Sequence, residues 1–346
     1  MFGINLGLFI VFATLFLLRW LLFWEETKTR IFEDAEEIAL LGAPAIAWFT
    51  ITGQVALTCS EAWGYRLTVL AYVMWWIGAA WIFVVCSTLY ICISKSALTD
   101  DEHLPTAVFL PIVGLMTSAT MGGVICNFGK DINPRIAVPM IICSYLLLGC
   151  GLFLALAMYV VYLHRLIIYG WLPMAKIPGM ILTIGPISQS ATALQNLATA
   201  ANQHQIFASY NRGFWLAAQP AVIIQAISVL LTLLLLGFAV FWIVMAYFAI
   251  IQALIQRKLH FGLTWWSTIF PMGSVATATT DLGTAMDSPA FKVVACIILG
   301  FLSLVFVVNT VLTVPMVLKR RSESSKHLHP FIHRQADNSS EHRFRT

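Results

Sequence analysis

The segment Phe270–Thr277 reads FPMGSVAT and places a proline, several small residues and a threonine within an apolar stretch. Three other apolar segments repeat this arrangement, in which a threonine follows the proline after six positions. The four pairs are Pro44 with Thr50, Pro111 with Thr117, Pro186 with Thr192, and Pro271 with Thr277. Their prolines stand 67, 75 and 85 residues apart, which leaves room for one helical hairpin each time. The spacing therefore predicts that the chain repeats a single hairpin unit.

The composition around these segments is typical of a membrane protein. Of the 346 residues, 60% are hydrophobic and 10% are charged, whereas soluble chains carry about 25% charged residues. Nine apolar runs are long enough to cross a bilayer. They cover approximately 2–23, 40–60, 67–93, 105–126, 139–164, 178–200, 222–253, 264–287 and 291–316. We therefore predict an all-α polytopic membrane protein, with a transmembrane domain over 1–318 and a disordered basic tail over 319–346.

The nine spans are of two alternating kinds. Four are rich in Gly, Ala, Ser and Thr and carry the prolines near one end, whereas those between them are rich in Leu, Ile, Val and Phe. Small residues allow close packing or leave open volume, and proline breaks are tolerated beside other helices or a water-lined cavity. We predict that the proline-containing helices line a central pathway and are kinked at Gly42, Pro44, Pro111, Gly185, Pro186, Pro271 and Gly273. Alternatively, these residues serve packing alone.

The candidate pathway offers neutral hydrogen-bond donors and little charge. The candidate residues are Thr50, Thr117, Gln189, Thr192, Ser274 and Thr277. Such donors, together with the positive ends of broken helices, suit a small anion, whereas a cation would be expected to need rings of carboxylates. The sequence shows no metal-ligand cluster, cofactor fingerprint or nucleophile–base pair, so we predict no metal, no cofactor and no enzymatic activity. The net charge is +4, and the Lys and Arg residues lie between the spans and in the tail. This pattern predicts no nucleic-acid partner.

The basic residues also predict the orientation of the chain. With the N-terminus outside and the C-terminus inside, eleven Lys and Arg residues fall on the inner side and five on the outer side. The inner set is Arg19, Lys28, Arg30, Lys95, Arg165, Lys176, Arg257, Lys258, Lys319, Arg320 and Arg321. Because positive residues favour the cytoplasmic side, this asymmetry predicts a multi-pass protein with a cytoplasmic tail.

Several motifs resemble those of the tellurite-resistance/dicarboxylate transporters, within the voltage-dependent anion channel superfamily. The segment Thr264–Gly273, TWWSTIFPMG, is similar to the ninth helix of that family. Tyr72–Ile77 and Gly185–Gln189 look most like the branch of fungal sulfite efflux pumps, and Leu282–Phe291 is similar to malic acid permeases. The resemblance covers roughly residues 2–317, that is, the whole chain except the tail.

The resemblance implies ten helices in five hairpins around a quasi-fivefold pore, anion transport across the plasma membrane without a cofactor, and a homotrimer. It implies that Phe270 is the gate of the pore. Sulfite or bisulfite efflux is the expected function. A malate or C4-dicarboxylate permease and a truncated, non-functional paralogue are the alternatives. This chain begins at what resembles the second helix of the family, so the first pore-lining helix is expected to be missing.

Overall fold

The computed structural model describes residues 2–96, 101–257, 259 and 261–343, without the side chains of 32, 96, 101 and 319–343. Met1, Lys258 and Thr346, which the predicted orientation uses, lie outside the described residues. The α-helices are α1 (Phe2–Leu22), α2 (Trp24–Glu33), α3 (Ala35–Leu40), α4 (Gly42–Gln54), α5 (Ser60–Trp63), α6 (Tyr65–Ser96), α7 (Phe109–Phe128), α8 (Pro134–Tyr169), α9 (Ile184–Asn202), α10 (Ile206–Tyr210), α11 (Ala218–Ile255), α12 (Ile269–Ala285) and α13 (Pro289–Arg343). A π-helical turn covers Val55–Cys59, and 3₁₀ helices cover Asp101–His103, Thr106–Val108, Met174–Thr183 and Leu263–Thr268.

Seven helical segments are long and apolar enough to cross a membrane. They are Phe2–Leu22, Ala35–Trp63, Tyr65–Lys95, Thr106–Phe128, Pro134–Tyr169, Ala218–Ile255 and Pro289–Leu318. The two other predicted spans contain α9 and α12, each of which continues a 3₁₀ helix and has only 19 or 17 residues. Within the described ranges the secondary structure is helical apart from turns and one isolated bridge between Arg212 and Leu216. The prediction of an all-α polytopic membrane protein is confirmed.

The proline-containing helices lie inside the bundle. α9 buries 15 of its 19 residues, whereas the Leu-rich helix α11 buries only 10 of 38. α4 packs on α7, α7 on α9, and α9 on α12, so these four inner helices form a continuous row. The predicted division between inner and outer helices is therefore present. The quasi-fivefold ring and a further pore-lining helix stay predictions.

The four prolines lie where each inner α-helix begins, and the kinks predicted there stay a prediction. Pro44, Pro111, Pro186 and Pro271 are each the third residue of an inner helix. A proline in the first turn costs the helix no hydrogen bond, because backbone N–H groups at these positions have no acceptor within the helix. The prolines therefore mark where α7, α9 and α12 take over from 3₁₀ helices, and where α4 follows α3. We call this end of the bundle the proline end.

The glycines of the predicted kinks lie within the first five residues of α4, α9 and α12, and they differ in how closely other helices approach them. Gly42 begins α4, and a Cβ there would lie 2.9 Å from the backbone nitrogen of Pro111 in α7. A Cβ on Gly185 would lie 3.1 Å from Val113 Cγ2 and 3.7 Å from Pro271 Cγ. Gly273 meets only Leu302 Cδ1, at 4.0 Å, and so has space around it. Gly42 and Gly185 thus permit close approach between inner helices, whereas Gly273 does not require it.

Charged side chains predicted to face the cytoplasm meet at the proline end. Arg19 at the end of α1 pairs with Glu37 of α3 at 3.1 Å, and Lys176 pairs with Glu36 at 2.5 Å. The buried Arg165 near the end of α8 donates to the backbone carbonyls of Glu102 and Gly170. These contacts are the ones that would be expected at a membrane surface, where the long basic side chains find polar partners.

The last helix continues past its apolar part. α13 could span the membrane over Pro289–Leu318, and its backbone stays helical to Arg343. The division of the chain at residue 318, the disorder of 319–346 and its cytoplasmic location stay predictions.

Candidate functional site

A row of polar contacts joins the inner helices α9 and α12. Its three steps are Ser188 Oγ with Ser274 Oγ at 2.6 Å, Thr192 Oγ1 with Thr277 Oγ1 at 3.4 Å, and Asn196 Nδ2 donating to Asp281 Oδ2 at 3.3 Å. The partners advance by four residues along α9 and by three and then four along α12, close to the helical repeat of 3.6. The two helices are therefore parallel, and their polar side chains form one continuous stripe. We call these contacts the polar ladder.

The other face of α9 makes equivalent contacts with α7. Gln189 Nε2 donates to Thr120 Oγ1 at 3.0 Å. Seven residues further along both helices, Asn127 Nδ2 donates to the backbone carbonyl of Asn196 at 3.0 Å and to its Oδ1 at 3.3 Å. Because Asn196 also donates to Asp281, an amide relay connects α7 through α9 to the carboxylate on α12. α9 is thus the central helix of the site.

The structure brings together only part of the predicted threonine layer. Thr192 and Thr277 are in contact, and the predicted Ser274 and Gln189 lie in the same two sets of contacts. The hydroxyls of Thr50 and Thr117 have hydrogen bonds only within their own helices among the described residues, to Ile46 O at 3.1 Å and to Val113 O at 2.8 Å.

The two isolated threonines also differ in exposure. Thr117 is fully buried, whereas Thr50 is half-buried. The bond to the preceding turn does not distinguish them from the other pair, because Thr192 also donates to Ser188 O at 3.1 Å and Thr277 to Gly273 O at 3.2 Å. Only Thr192 and Thr277 add a contact between two inner helices. That Thr50 and Thr117 line a pathway stays a prediction. It has less support than the same prediction for Thr192 and Thr277, which are in contact.

One face of α12 is open. Phe270 and Gly273 are half-buried and Thr277 is exposed, whereas Pro271, Ser274 and the other residues on the far side are buried. Positions 270, 273 and 277 share one helix face because three- and four-residue steps follow the helical repeat. The predicted gate residue therefore lies on the same face as the exposed threonine, two helical turns nearer the proline end. Its role as gate stays a prediction.

The four inner helices start at the same end of the bundle. In each neighbouring pair of inner helices, residues with higher numbers on one helix contact residues with higher numbers on the other. The four helices α4, α7, α9 and α12 are therefore parallel. None of the four N-termini is capped by a side-chain hydrogen bond. At the starts of α9 and α12 the preceding 3₁₀ helix supplies the partner, since Ile184 N–H donates to Ile181 O and Ile269 N–H to Trp266 O. Because the four helices are parallel, the positive ends of their dipoles all point toward the proline end.

A cavity of about 260 Å³ opens at the opposite end of the same helices. Its lining residues include Asn127, Gln195, Asn196, His204, Gln225 and Asp281. We call it the distal cavity. Asp281 is the sole charged residue within the ranges of α4, α7, α9 and α12. The polar ladder therefore runs from buried hydroxyl groups to a cavity that contains one carboxylate.

Our reading of the sequence missed several members of this site, above all Ser188, Thr120, Asn127 and Asn196. One signal was available in the sequence: Ser188, Thr192 and Asn196 follow one another at four-residue steps and so share a helix face. The contacts between helices had no such signal. Among the described residues, no three His, Cys, Asp or Glu side chains gather in a group that could hold a metal ion.

Several known transport proteins are similar in sequence to this chain. The chain is 28% identical over 293 residues to the sulfite efflux pump of Arthroderma benhamiae, covering 85% of this chain and 75% of that pump. It is 25% identical over 285 residues to an uncharacterized transporter of Methanocaldococcus jannaschii, covering 82% of this chain and 74% of that transporter. It is 23% identical over 297 residues to a putative malic acid transport protein of Schizosaccharomyces pombe, covering 84% of this chain and 66% of that protein.

The model of the voltage-dependent anion channel family matches residues 1–314, which include every helix of the row α4, α7, α9 and α12. This match confirms the family that the sequence motifs pointed to. The chain belongs to the voltage-dependent anion channel family.

Proposed function

We propose that the chain exports sulfite or hydrogen sulfite across the plasma membrane, along the open face of α12 beside α9. The observation that carries this proposal is the contact of Thr192 with Thr277 in the polar ladder, next to an exposed helix face. Family membership supports an anion as the substrate. The names of the fungal relatives support sulfite, since they are sulfite efflux pumps at 27% to 28% identity.

The chemistry of the ladder suits a small oxyanion. Hydroxyl groups can turn to donate to an anion, and several of them can share its oxygens at once. Neutral donors bind an anion weakly enough for it to leave, which conduction requires. The positive ends of the four parallel helix dipoles point toward the proline end and would favour entry of an anion from the side that the predicted topology places in the cytoplasm.

A dicarboxylate such as malate would need compensation at two separated charges. The arginines of the proline end are engaged elsewhere, because Arg19 pairs with Glu37 and Arg165 donates to two backbone carbonyls. The inner helices themselves contain no Lys or Arg over their described ranges. These features favour sulfite over malate, which remains the second candidate because of the malic acid transport relatives.

Expression of the chain in cells that lack their own sulfite pump tests the proposal. We expect increased tolerance to sulfite and faster loss of loaded sulfite, with little uptake of malate. Robust malate uptake without any effect on sulfite tolerance would assign the chain to the permease branch. Transport of neither anion by protein that reaches the cell surface would favour a non-functional paralogue.

We also propose that the chain assembles as a homotrimer with one pathway in each protomer, as its resemblance to the family implies. Native mass spectrometry of detergent-solubilised protein tests the assembly, and a dominant monomer at all protein concentrations would contradict it. Fluorescence imaging of a tagged chain tests its location in the plasma membrane.

A further inference from the structure

The distal cavity contains polar groups without partners, and these show what it could bind. Gln195 is only 4% exposed, lines the cavity, and its Nε2 has no hydrogen-bond partner among the described residues. The Oδ1 of Asn127 is likewise buried without a partner in that part of the chain. Leaving a buried donor without a partner is unfavourable, because the group has lost its hydrogen bonds to water. A ligand with an acceptor oxygen would remove this cost at Gln195.

Asp281 places a negative charge in the same cavity, which is unfavourable for an anion. Its carboxylate accepts one hydrogen bond, from Asn196 at 3.3 Å. Within the described set of ion pairs no Lys or Arg neutralises it. Lys292 of α13, near the same end of α12, donates instead to Asp287. An ionised carboxylate at the end of an anion pathway repels a bare anion.

The groups around Asp281 do not remove this conflict. α7, α9 and α11 contain no acidic or basic residue over their ranges, and they contribute amides such as Asn127, Gln195 and Gln225. His204, in the turn after α9, is the titratable residue that lines the cavity with Asp281. In the first three turns of α13, which lie near this end of α12, the charged residue is Lys292, and it is engaged with Asp287.

We infer that the distal cavity accepts an oxyanion together with one proton, held between the anion and Asp281, and that Asp281 thereby selects protonated oxyanions over chloride and nitrate. This inference rests on the proposed function, because it assumes that the anion moves along the open face of α12. The O–H of hydrogen sulfite would donate to the free oxygen of Asp281, and another oxygen would accept from Gln195 Nε2. Chloride and nitrate bring no proton at neutral pH, so they would meet the repulsion without the hydrogen bond.

The proton can come with the anion or be bound first by Asp281, and the two descriptions give the same complex. No bond other than O–H is made or broken. Acidification protonates Asp281, removes the repulsion, and so lets chloride pass more readily through the wild-type protein.

The test compares Asp281→Asn with Asp281→Glu and with the control Asp287→Asn, whose carboxylate is 96% exposed and lies outside the cavity. Fluxes of chloride, nitrate and hydrogen sulfite are measured in proteoliposomes as a function of pH. We expect Asp281→Asn to raise the permeability of chloride and nitrate relative to hydrogen sulfite by about tenfold, the effect of losing one hydrogen bond to a charged group. We expect Asp281→Glu and Asp287→Asn to resemble the wild type.

An unchanged permeability ratio in Asp281→Asn would overturn the inference. A requirement for Na⁺ that disappears in Asp281→Asn would also overturn it, because the carboxylate would then bind a cation. If this variant does not fold, the wild type decides: chloride flux that does not rise as the outer pH falls contradicts the inference. If the wild type carries malate and not sulfite, the proposed function fails, but the same comparison of hydrogen malate with chloride still tests Asp281.

Discussion

Gly42 of α4 lies against Pro111 of α7 so closely that a Cβ on the glycine would stand 2.9 Å from the proline nitrogen. This atom belongs to the backbone and cannot turn away. We therefore expect Gly42→Ala to push the two inner helices apart and to lower the stability of the protein by about 1–3 kcal/mol, the usual cost of overpacking. Thermal unfolding of the detergent-solubilised protein measures the effect.

Gly273→Ala is the matched control for this prediction. The nearest atom to a Cβ at Gly273 is Leu302 Cδ1, at 4.0 Å. Alanine is favoured over glycine in a helix by about 1 kcal/mol, so we expect this variant to unfold at the same or a higher temperature. Equal destabilisation by both substitutions would show that Gly42 has no special contact with Pro111.

The contact of Thr192 with Thr277 leads to a prediction about transport. Thr192→Val and Thr277→Val keep the shape of the side chains and remove the hydroxyl groups. Because each variant removes one donor from the polar ladder, we expect each to lower sulfite flux several-fold. We expect the double variant to lose less than the product of the two single losses, since the hydroxyls act as a pair. Efflux from loaded cells measures the flux.

Thr117→Val serves as the control for the threonine pair. Its hydroxyl is fully buried and donates to Val113 O within α7, so the substitution should change stability and leave sulfite flux close to the wild-type value. A loss of flux in Thr117→Val as large as that in Thr192→Val would restore the predicted layer of four threonines and argue against a pathway confined to α9 and α12.

The sequence could predict the helices and their division into inner and outer sets, because both depend on local composition. The run 178–200 was predicted as one span, whereas its first residues belong to the 3₁₀ helix Met174–Thr183 and α9 begins only at Ile184. Pro186 explains this boundary, since it sits in the first turn where an α-helix tolerates it. The pattern located the proline, and the change from 3₁₀ helix to α-helix beside it could be seen only in the structure.

The pairing of polar side chains could not be predicted in the same way. It depends on how the inner helices are rotated and staggered against each other. One determinant is the approach of Gly123 to Asn196, where a Cβ would lie 2.8 Å from the asparagine Cβ. The polar contacts between inner helices join residues 69 to 86 positions apart, and a single sequence contains no pattern that relates them. The amide relay to Asp281 became visible only in the structure.

The orientation of the chain can be tested through its ends. We predict Met1 outside the cell and Thr346 inside, because eleven basic residues against five favour this arrangement. An epitope tag at each end, stained in intact and in permeabilised cells, measures it. The N-terminal tag should be stained in both and the C-terminal tag only after permeabilisation. Both tags on one side would mean that the number of membrane spans is even.

Phe270 provides a test of the gate. Its ring is half-buried on the open face of α12 that also carries Gly273 and Thr277. An aromatic ring in a narrow, weakly charged pathway excludes water and anion together. We therefore predict that Phe270→Ala raises the anion current severalfold in whole-cell recordings at equal surface expression.

Phe109→Ala is the control, because Phe109 is a packing residue of another inner helix. It is fully buried and stacks on Tyr159 with 5.0 Å between the ring centroids. Removing a buried phenylalanine costs about 3–5 kcal/mol, so this variant should reach the surface in smaller amounts without a larger current per molecule. If Phe270→Ala behaves like Phe109→Ala, its ring stabilises the start of α12 and does not close the pathway.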